Sequence, residues 1–224
     1  MLTGWWVQGV LETGGAALLL SWVVGVIGSI VLHELAHGWT AIRLGDRTPI
    51  ETGHMTWNPL VHLGTFSMIF FVLFGIAWGA MPVDPSRVRG RYGDVLVTLA
   101  GPLMNVCLAA LAIVLGGLWE AMAEGMGVGR PLRGNAADFF FIAAMLNIFL
   151  AIFNLLPIVP LDGGRIVSRF SRAYEELAGN EQGQWLMLGV FLLFFWFGAD
   201  PIFALARAVA QSGIGGIAGA IGGG

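Results

Sequence analysis

Charge is scarce in this sequence. Only 11% of its 224 residues are charged, and lysine is absent, so all eleven basic residues are arginines. A chain this poor in charge lacks the solvated surface of a water-soluble domain. The missing lysine reads as genome composition. No basic, flexible or low-complexity arm is present to engage nucleic acid, and a net charge of −3 is too small to imply a charged partner. One cysteine, Cys107, excludes an internal disulfide; in its apolar run it reads as a small core hydrophobe. The start, "MLTGWWVQGVLETGG", has neither a basic n-region nor a clear cleavage site and does not read as a secretory signal. Trp5 and Trp6 are placed to anchor it at a membrane interface.

Apolar residues are what is abundant. They make up 57% of the chain, with mean hydropathy +0.79. A spanning helix needs roughly 20 apolar residues. Residues 16–42, 95–118 and 136–156 meet that length, and 185–199 is short but very apolar. Asp200-Pro201 is expected to break or kink that last run. A Gly-rich tail over about 212–224 is expected to be poorly ordered. With no linker in view, the chain reads as a single membrane-embedded domain over 1–224, its core at about 16–180. The fold class implied is an all-α polytopic membrane protein in the lipid bilayer.

Residues 64–81, "GTFSMIFFVLFGIAWGAM", are apolar enough to span, yet carry three glycines and stop at Pro82. Charge arbitrates. If this segment crosses, the loop arginines divide 6 to 5 between the two sides. If it dips in and returns, Arg43, Arg47, Arg87, Arg89, Arg91, Arg165, Arg169 and Arg172 share one side against Arg130, Arg133 and Arg207, a split of 8 to 3. The second division obeys the positive-inside tendency. It predicts a re-entrant element, an outside N-terminus and a cytosolic end for residues near 42.

Within the first span stands "HELAH", residues 33–37. On a helix, His33 and His37 lie one above the other and can grip one metal ion. Glu34 is beside the first ligand. Zinc suits two imidazoles and an oxygen ligand, and an activated water could then lose its proton to Glu34. The competing reading is a chance H-E-x-x-H. In a membrane span that is costly, because each ionisable group without a role costs about 2.5 kcal/mol or more. The histidines lie in a stripe of small residues, Gly25, Ser29 and Ala41. Similar stripes run through Thr98, Gly101, Asn105, Ala109 and Ala112, and through Ala143, Asn147, Ala151 and Asn154. Small residues alone indicate ordinary helix packing; the intramembrane asparagines need partners and point to a shared polar site.

The third ligand must be an oxygen or another imidazole. Among fourteen carboxylates, Glu34 and Asp162 are the two in strongly apolar context. Asp162 follows Pro157 and Pro160, where the helix must break, and precedes Gly163 and Gly164, which permit close approach. The dipping topology brings Asp162 to the same side as His37; the crossing topology does not. The competing reading of Asp162 is a turn or helix-capping aspartate.

"HELAH" at 33–37, "AGPLMN" at 100–105 and "NLLPIVPLDGGR" at 154–165, in that order, resemble the site-2 protease family of intramembrane zinc metalloproteases. "GHMTWNPLVHLGT" at 53–65 and "PVDPSRVRG" at 82–90 resemble its compact branch, without PDZ or CBS domains. The resemblance implies one zinc per chain on His33, His37 and Asp162, with Glu34 as catalytic base. It also implies a re-entrant segment near the active site, and Asn154 and Asn105 as candidates for contact with substrate or oxyanion. His54 is a further substrate-contact candidate, set against a plain loop histidine. The branch often has a lysine where this chain reads "WGAMPV". The function implied is a metalloendopeptidase cutting in or near a transmembrane segment of a protein or peptide substrate, for regulated proteolysis or signal-peptide clearance. It would sit in a prokaryotic cell membrane with its site toward the cytosol. A membrane metal carrier or sensor could use the same His/His/Asp set, but would not require Glu34.

Overall fold

A computed structural model describes residues 5–222. The chain is an all-α polytopic membrane protein. Its helices are α1 (Trp6–Arg43), α2 (Thr48–Glu51), α3 (Pro59–Phe74), α4 (Gly93–Met122), α5 (Arg130–Asn154), α6 (Asp162–Phe170), α7 (Arg172–Gly179) and α8 (Glu181–Gly222). Four of them, α1, α4, α5 and α8, are long and apolar enough to cross a membrane.

Helix α4 is central and packs on α1, α5 and α8. Contacts fix the directions. Gly25 and Ser29 on α1 meet Ile142 and Asn147 on α5 in the same order, so these two spans are parallel. His33 and His37 meet Asn105 and Val97 on α4 in reverse order, so α4 is antiparallel to both. Apolar burial between α4, α5 and α8 centres on Ala112, Ala144, Met145, Phe149, Phe153, Ala206 and Ala210. The rings of Phe149 and Phe203 stack with centroids 3.8 Å apart.

Residues 59–82 form a hairpin. Asn58 caps α3 by accepting from the Leu60 N–H, with Pro59 at the first helical position. Gly75, at φ 75°, stops the helix in the left-handed conformation that glycine tolerates. The chain then returns extended along α3. The Ala80 N–H donates to the His62 carbonyl at 2.9 Å. The buried Ser67 hydroxyl donates to the Trp78 carbonyl at 2.7 Å and accepts from the Trp78 N–H at 2.8 Å. Irregular backbone at membrane depth is tolerable only when its polar groups are met in this way. The two ends of the hairpin lie together: Asp46 accepts from the Asp84 N–H at 2.8 Å, the Arg89 N–H donates to the Leu44 carbonyl at 2.8 Å, and Arg87 pairs with Glu51 at 2.7 Å. The segment that was ambiguous in the sequence therefore doubles back on itself, with its two flanks joined.

Helix α1 is not one straight rod, and its reversal lies just before the span expected at 16–42. Gly75 approaches Trp6 and Gly79 approaches Glu34, although Gly75 and Gly79 are at most about 14 Å apart. A straight helix would separate Trp6 from Glu34 by about 42 Å. The reversal is at Gly15, at φ 70° and ψ −167°, which folds residues 6–14 back along the hairpin. Both the Trp5 and Trp6 indole N–H groups donate to the Val72 carbonyl, at 2.8 and 3.0 Å, which fastens this stretch to the hairpin. Two expectations need correction. Pro201 lies inside a continuous α8 and does not break it. The Gly-rich tail, expected to be poorly ordered, is helical through Gly222. Ile214 and Ile217 pack onto Gly116 and Gly117 of α4, so close packing of small residues outweighs the poor helix propensity of glycine.

Candidate metal centre

His33 and His37 sit one helical turn apart on α1, and their Nε2 atoms are 3.0 Å from each other. Asp162 reaches them from the first residue of α6, its Oδ2 3.2 Å from His33 Nε2 and 3.4 Å from His37 Nε2. All three residues are buried and their donor atoms converge. Asp162 arrives here because the chain breaks after Asn154 and folds back on itself. Gly163 packs against the Leu155 and Leu156 carbonyls and Gly164 against the Ile158 and Val159 backbone, where a Cβ would overlap. The Tyr174 hydroxyl donates to the Pro157 carbonyl at 2.9 Å and fastens this segment from α7.

The imidazoles are oriented from behind. His37 Nδ1 lies 2.7 Å from the Val97 carbonyl, which can only accept, so Nδ1 carries the proton. His33 Nδ1 lies 2.6 Å from Asn105 Oδ1. In neutral rings both Nε2 atoms are then bare. They face each other and a carboxylate oxygen that no hydrogen-bond donor among the described residues meets. Three lone pairs facing one another in a buried space repel, and a cation relieves that repulsion. The room for one is at Gly101. A Cβ there would overlap both Nε2 atoms, so only glycine leaves the space between the ligands open. Two imidazoles and one carboxylate are the donor set of catalytic zinc sites. The residues present fit that ion.

Glu34 is buried beside these ligands, its Oε1 against Gly79 of the hairpin's return strand. Asn105 is fully buried, with Oδ1 turned to His33 and Nδ2 to Asn147, so it steadies the His33 ring from behind. The Asn154 amide donates to the Leu150 carbonyl of its own helix at 3.0 Å. His54 is outside the cluster, its Nδ1 near the Thr52 hydroxyl and carbonyl.

Sequence reasoning missed two buried groups. His62 is 2% exposed; its Nε2 meets the Thr56 carbonyl at 2.7 Å, and its Nδ1 has no partner among the described residues. Asp46 is fully buried. The D-R-T-P stretch it opens was the available signal, because aspartate two residues before a helix-opening Thr-Pro is a turn and cap pattern. Burial alone would raise the Asp46 carboxyl. Hydrogen bonds from the Thr48 hydroxyl, the Thr48 N–H and the Asp84 N–H, with Arg87 nearby, instead hold it below the usual carboxylate value.

Residues 21–128 and 121–197 match the model of peptidase family M50. The chain is similar to YwhC of Bacillus subtilis (strain 168), at 38% identity over 65% of this chain and 66% of the relative. It is similar to Rip2 of Mycolicibacterium smegmatis, at 31% identity over 63% and 53% respectively. A third relative, MJ0392 of Methanocaldococcus jannaschii, is 26% identical over 62% of this chain and 31% of its own length. All three carry zinc metalloprotease in their names. The matches thus span from about a third to two thirds of these relatives. No solved structure matches the chain.

Proposed function

Because this chain belongs to peptidase family M50, we propose that it is a zinc-dependent endopeptidase that hydrolyses a peptide bond in or near a transmembrane segment of a membrane-protein substrate. The observation that carries this reading is the convergence of His33, His37 and Asp162 beside the carboxylate of Glu34. Those three residues would hold zinc. When bound, zinc polarises a carbonyl and makes water acidic enough to lose a proton near neutrality.

The chain's own residues would do the rest. Glu34 takes the proton of the attacking water as oxygen joins the scissile carbonyl carbon. It returns that proton to the leaving amine nitrogen as the C–N bond breaks. Gly79 lets the hairpin lie directly on Glu34, which fixes the carboxylate and limits the water around it. The substrate must arrive unwound, since a helical carbonyl is already hydrogen-bonded. Asn154 is the candidate donor to the developing oxyanion, after releasing Leu150. His54 is a candidate substrate contact. The arginines gathered at residues 43–47, 87–91 and 165–172 support a site toward the cytosol, and bacterial and archaeal relatives support a prokaryotic membrane.

The test is cleavage of a single-span membrane protein by the purified full chain in detergent, with zinc content measured alongside. Glu34→Gln keeps size but loses the basic oxygen. It is expected to retain zinc and lose at least ~10²-fold in rate. Undiminished cleavage by Glu34→Gln, with contaminating proteases excluded, would defeat the mechanism. A metal carrier predicts instead that Glu34→Gln scarcely matters while Asp162→Asn abolishes transport.

A further inference from the structure

We infer that Asn147 is a positioning residue: it sets the orientation of the Asn105 amide and, through it, which ring nitrogen of His33 is left bare. The inference rests on the reading of His33 as a metal ligand. An asparagine amide can sit either way round, and only its neighbours decide between oxygen and nitrogen. Here the decision starts at a group that cannot flip. The Ala143 carbonyl can only accept, and it lies 2.8 Å from the Asn147 amide, so the atom facing it is Nδ2. The same Nδ2 lies 2.8 Å from Ser29 Oγ. Asn147 Oδ1 is thereby turned to Asn105, where it can only accept, so Asn105 presents Nδ2 at 2.8 Å. That leaves Asn105 Oδ1 facing His33 Nδ1 at 2.6 Å, again as an acceptor. The proton of neutral His33 must therefore sit on Nδ1, and Nε2 is bare toward His37 and Asp162.

Each link has one solution, and burial enforces it. Asn105 is 0% exposed, Asn147 3% and Ser29 5%, so bulk water does not reach a wrongly turned amide. The three side chains come from α4, α5 and α1, so the relay also reads whether those spans are assembled. A bystander that merely fills space would not carry this directionality.

The experiment uses the full chain purified in detergent. One readout is 15N NMR of labelled histidines in the metal-free protein, at a pH where the rings are neutral. The other is zinc affinity by chelator competition. Wild type is expected to show His33 protonated at Nδ1. Asn147→Leu, of similar size but without polar atoms, is expected to mix the two tautomers. Its zinc affinity should fall about 10- to 100-fold, the usual effect of losing a group that orients a ligand. If Asn147→Leu does not fold, Asn147→Ser serves: its hydroxyl can bond back to Ala143 but is too short to hold Asn105. Asn147→Asp, neutral in this buried site, can donate its hydroxyl to Ala143 and still accept from Asn105; it is expected to keep the Nδ1–H tautomer and near wild-type zinc affinity, whatever it does to thermal stability. Asn105→Leu with Asn147→Leu should bind zinc no more weakly than Asn105→Leu alone, since one acts through the other. An unchanged His33 tautomer and unchanged zinc affinity in Asn147→Leu or Asn147→Ser, or additive losses in the double variant, would overturn the inference. Wild type that binds no zinc, yet shows the tautomer and its loss in Asn147→Leu, would sink the ligand assignment and leave the positioning role standing.

Discussion

Gly79 and Glu34 are in contact. The return strand of the hairpin lies so close to α1 that a methyl group on Gly79 would come within 2.6 Å of Glu34 Oε1 and 2.8 Å of Ile30 Cγ2. The hairpin is therefore a roof over the proposed base. Gly79→Ala is expected to displace the Glu34 carboxylate without touching the metal ligands. Zinc content should match wild type, while cleavage falls about 10- to 100-fold, as expected for a misplaced reacting group. Wild-type turnover by Gly79→Ala would show that the roof has no bearing on the base.

Gly101 tests the metal centre from the opposite side. A Cβ there would overlap both imidazole Nε2 atoms and come within 2.6 Å of His33 Cε1. Gly101→Ala is expected to remove most of the bound zinc while far-ultraviolet circular dichroism stays that of the folded helical protein. Stoichiometric zinc in Gly101→Ala would mean the ion, if bound, lies elsewhere.

The reversal at Gly15 can be trapped. The rings of Trp6 and Phe71 have centroids 5.5 Å apart. In a Cys107→Ser background, Trp6→Cys with Phe71→Cys is expected to be joined by a short bifunctional thiol crosslinker, which spans the gap the two removed rings filled. The crosslink should need no proteolysis or denaturation to appear. Persistent free thiols, in protein that still binds zinc, would favour a straight α1.

Topology gives a separate check. Single cysteines at Arg47, Arg89 and Arg169 should react with an impermeant thiol reagent from one face, and a cysteine at Arg133 from the other. The structure joins residues 44–51 to 84–89 and pairs Arg169 with Asp94. Labelling of positions 47 and 89 from opposite faces cannot be reconciled with a re-entrant hairpin.

Asp46 predicts a pH dependence. Its folded carboxyl titrates below its unfolded counterpart. The stability it supplies is thus whole above the unfolded value near ~3.9 and drains as pH falls through the folded one. Asp46→Ala removes the acceptor of three hydrogen bonds that join α2 to the hairpin exit. It is expected to cost about 1–2 kcal/mol near neutral pH, the scale of a lost helix cap. The gap in melting temperature between wild type and Asp46→Ala should narrow below about pH 4. A gap of constant size down to pH 2 would remove the carboxylate from the explanation.

The sequence by itself determined what short-range chemistry encodes. The i, i+4 spacing of His33 and His37 on an apolar helix is a local property, and so is the break that Pro157 and Pro160 impose before Asp162. The arginine distribution pointed to the hairpin because charge sorting acts on whole loops. Tertiary structure alone decided the rest. No local rule says that Trp6 turns back to meet Phe71, since Gly15 permits a reversal without requiring one. Pro201 and the glycines after it argue against helix locally, and the packing of α8 on α4 and α5, through Ala206, Ala210, Ile214 and Ile217, reverses that balance. The orientation of Asn105 was equally hidden. An amide's two ends are chemically opposite but nearly identical in shape, so which one faces His33 is settled by Asn147, forty-two residues away in sequence and on another helix.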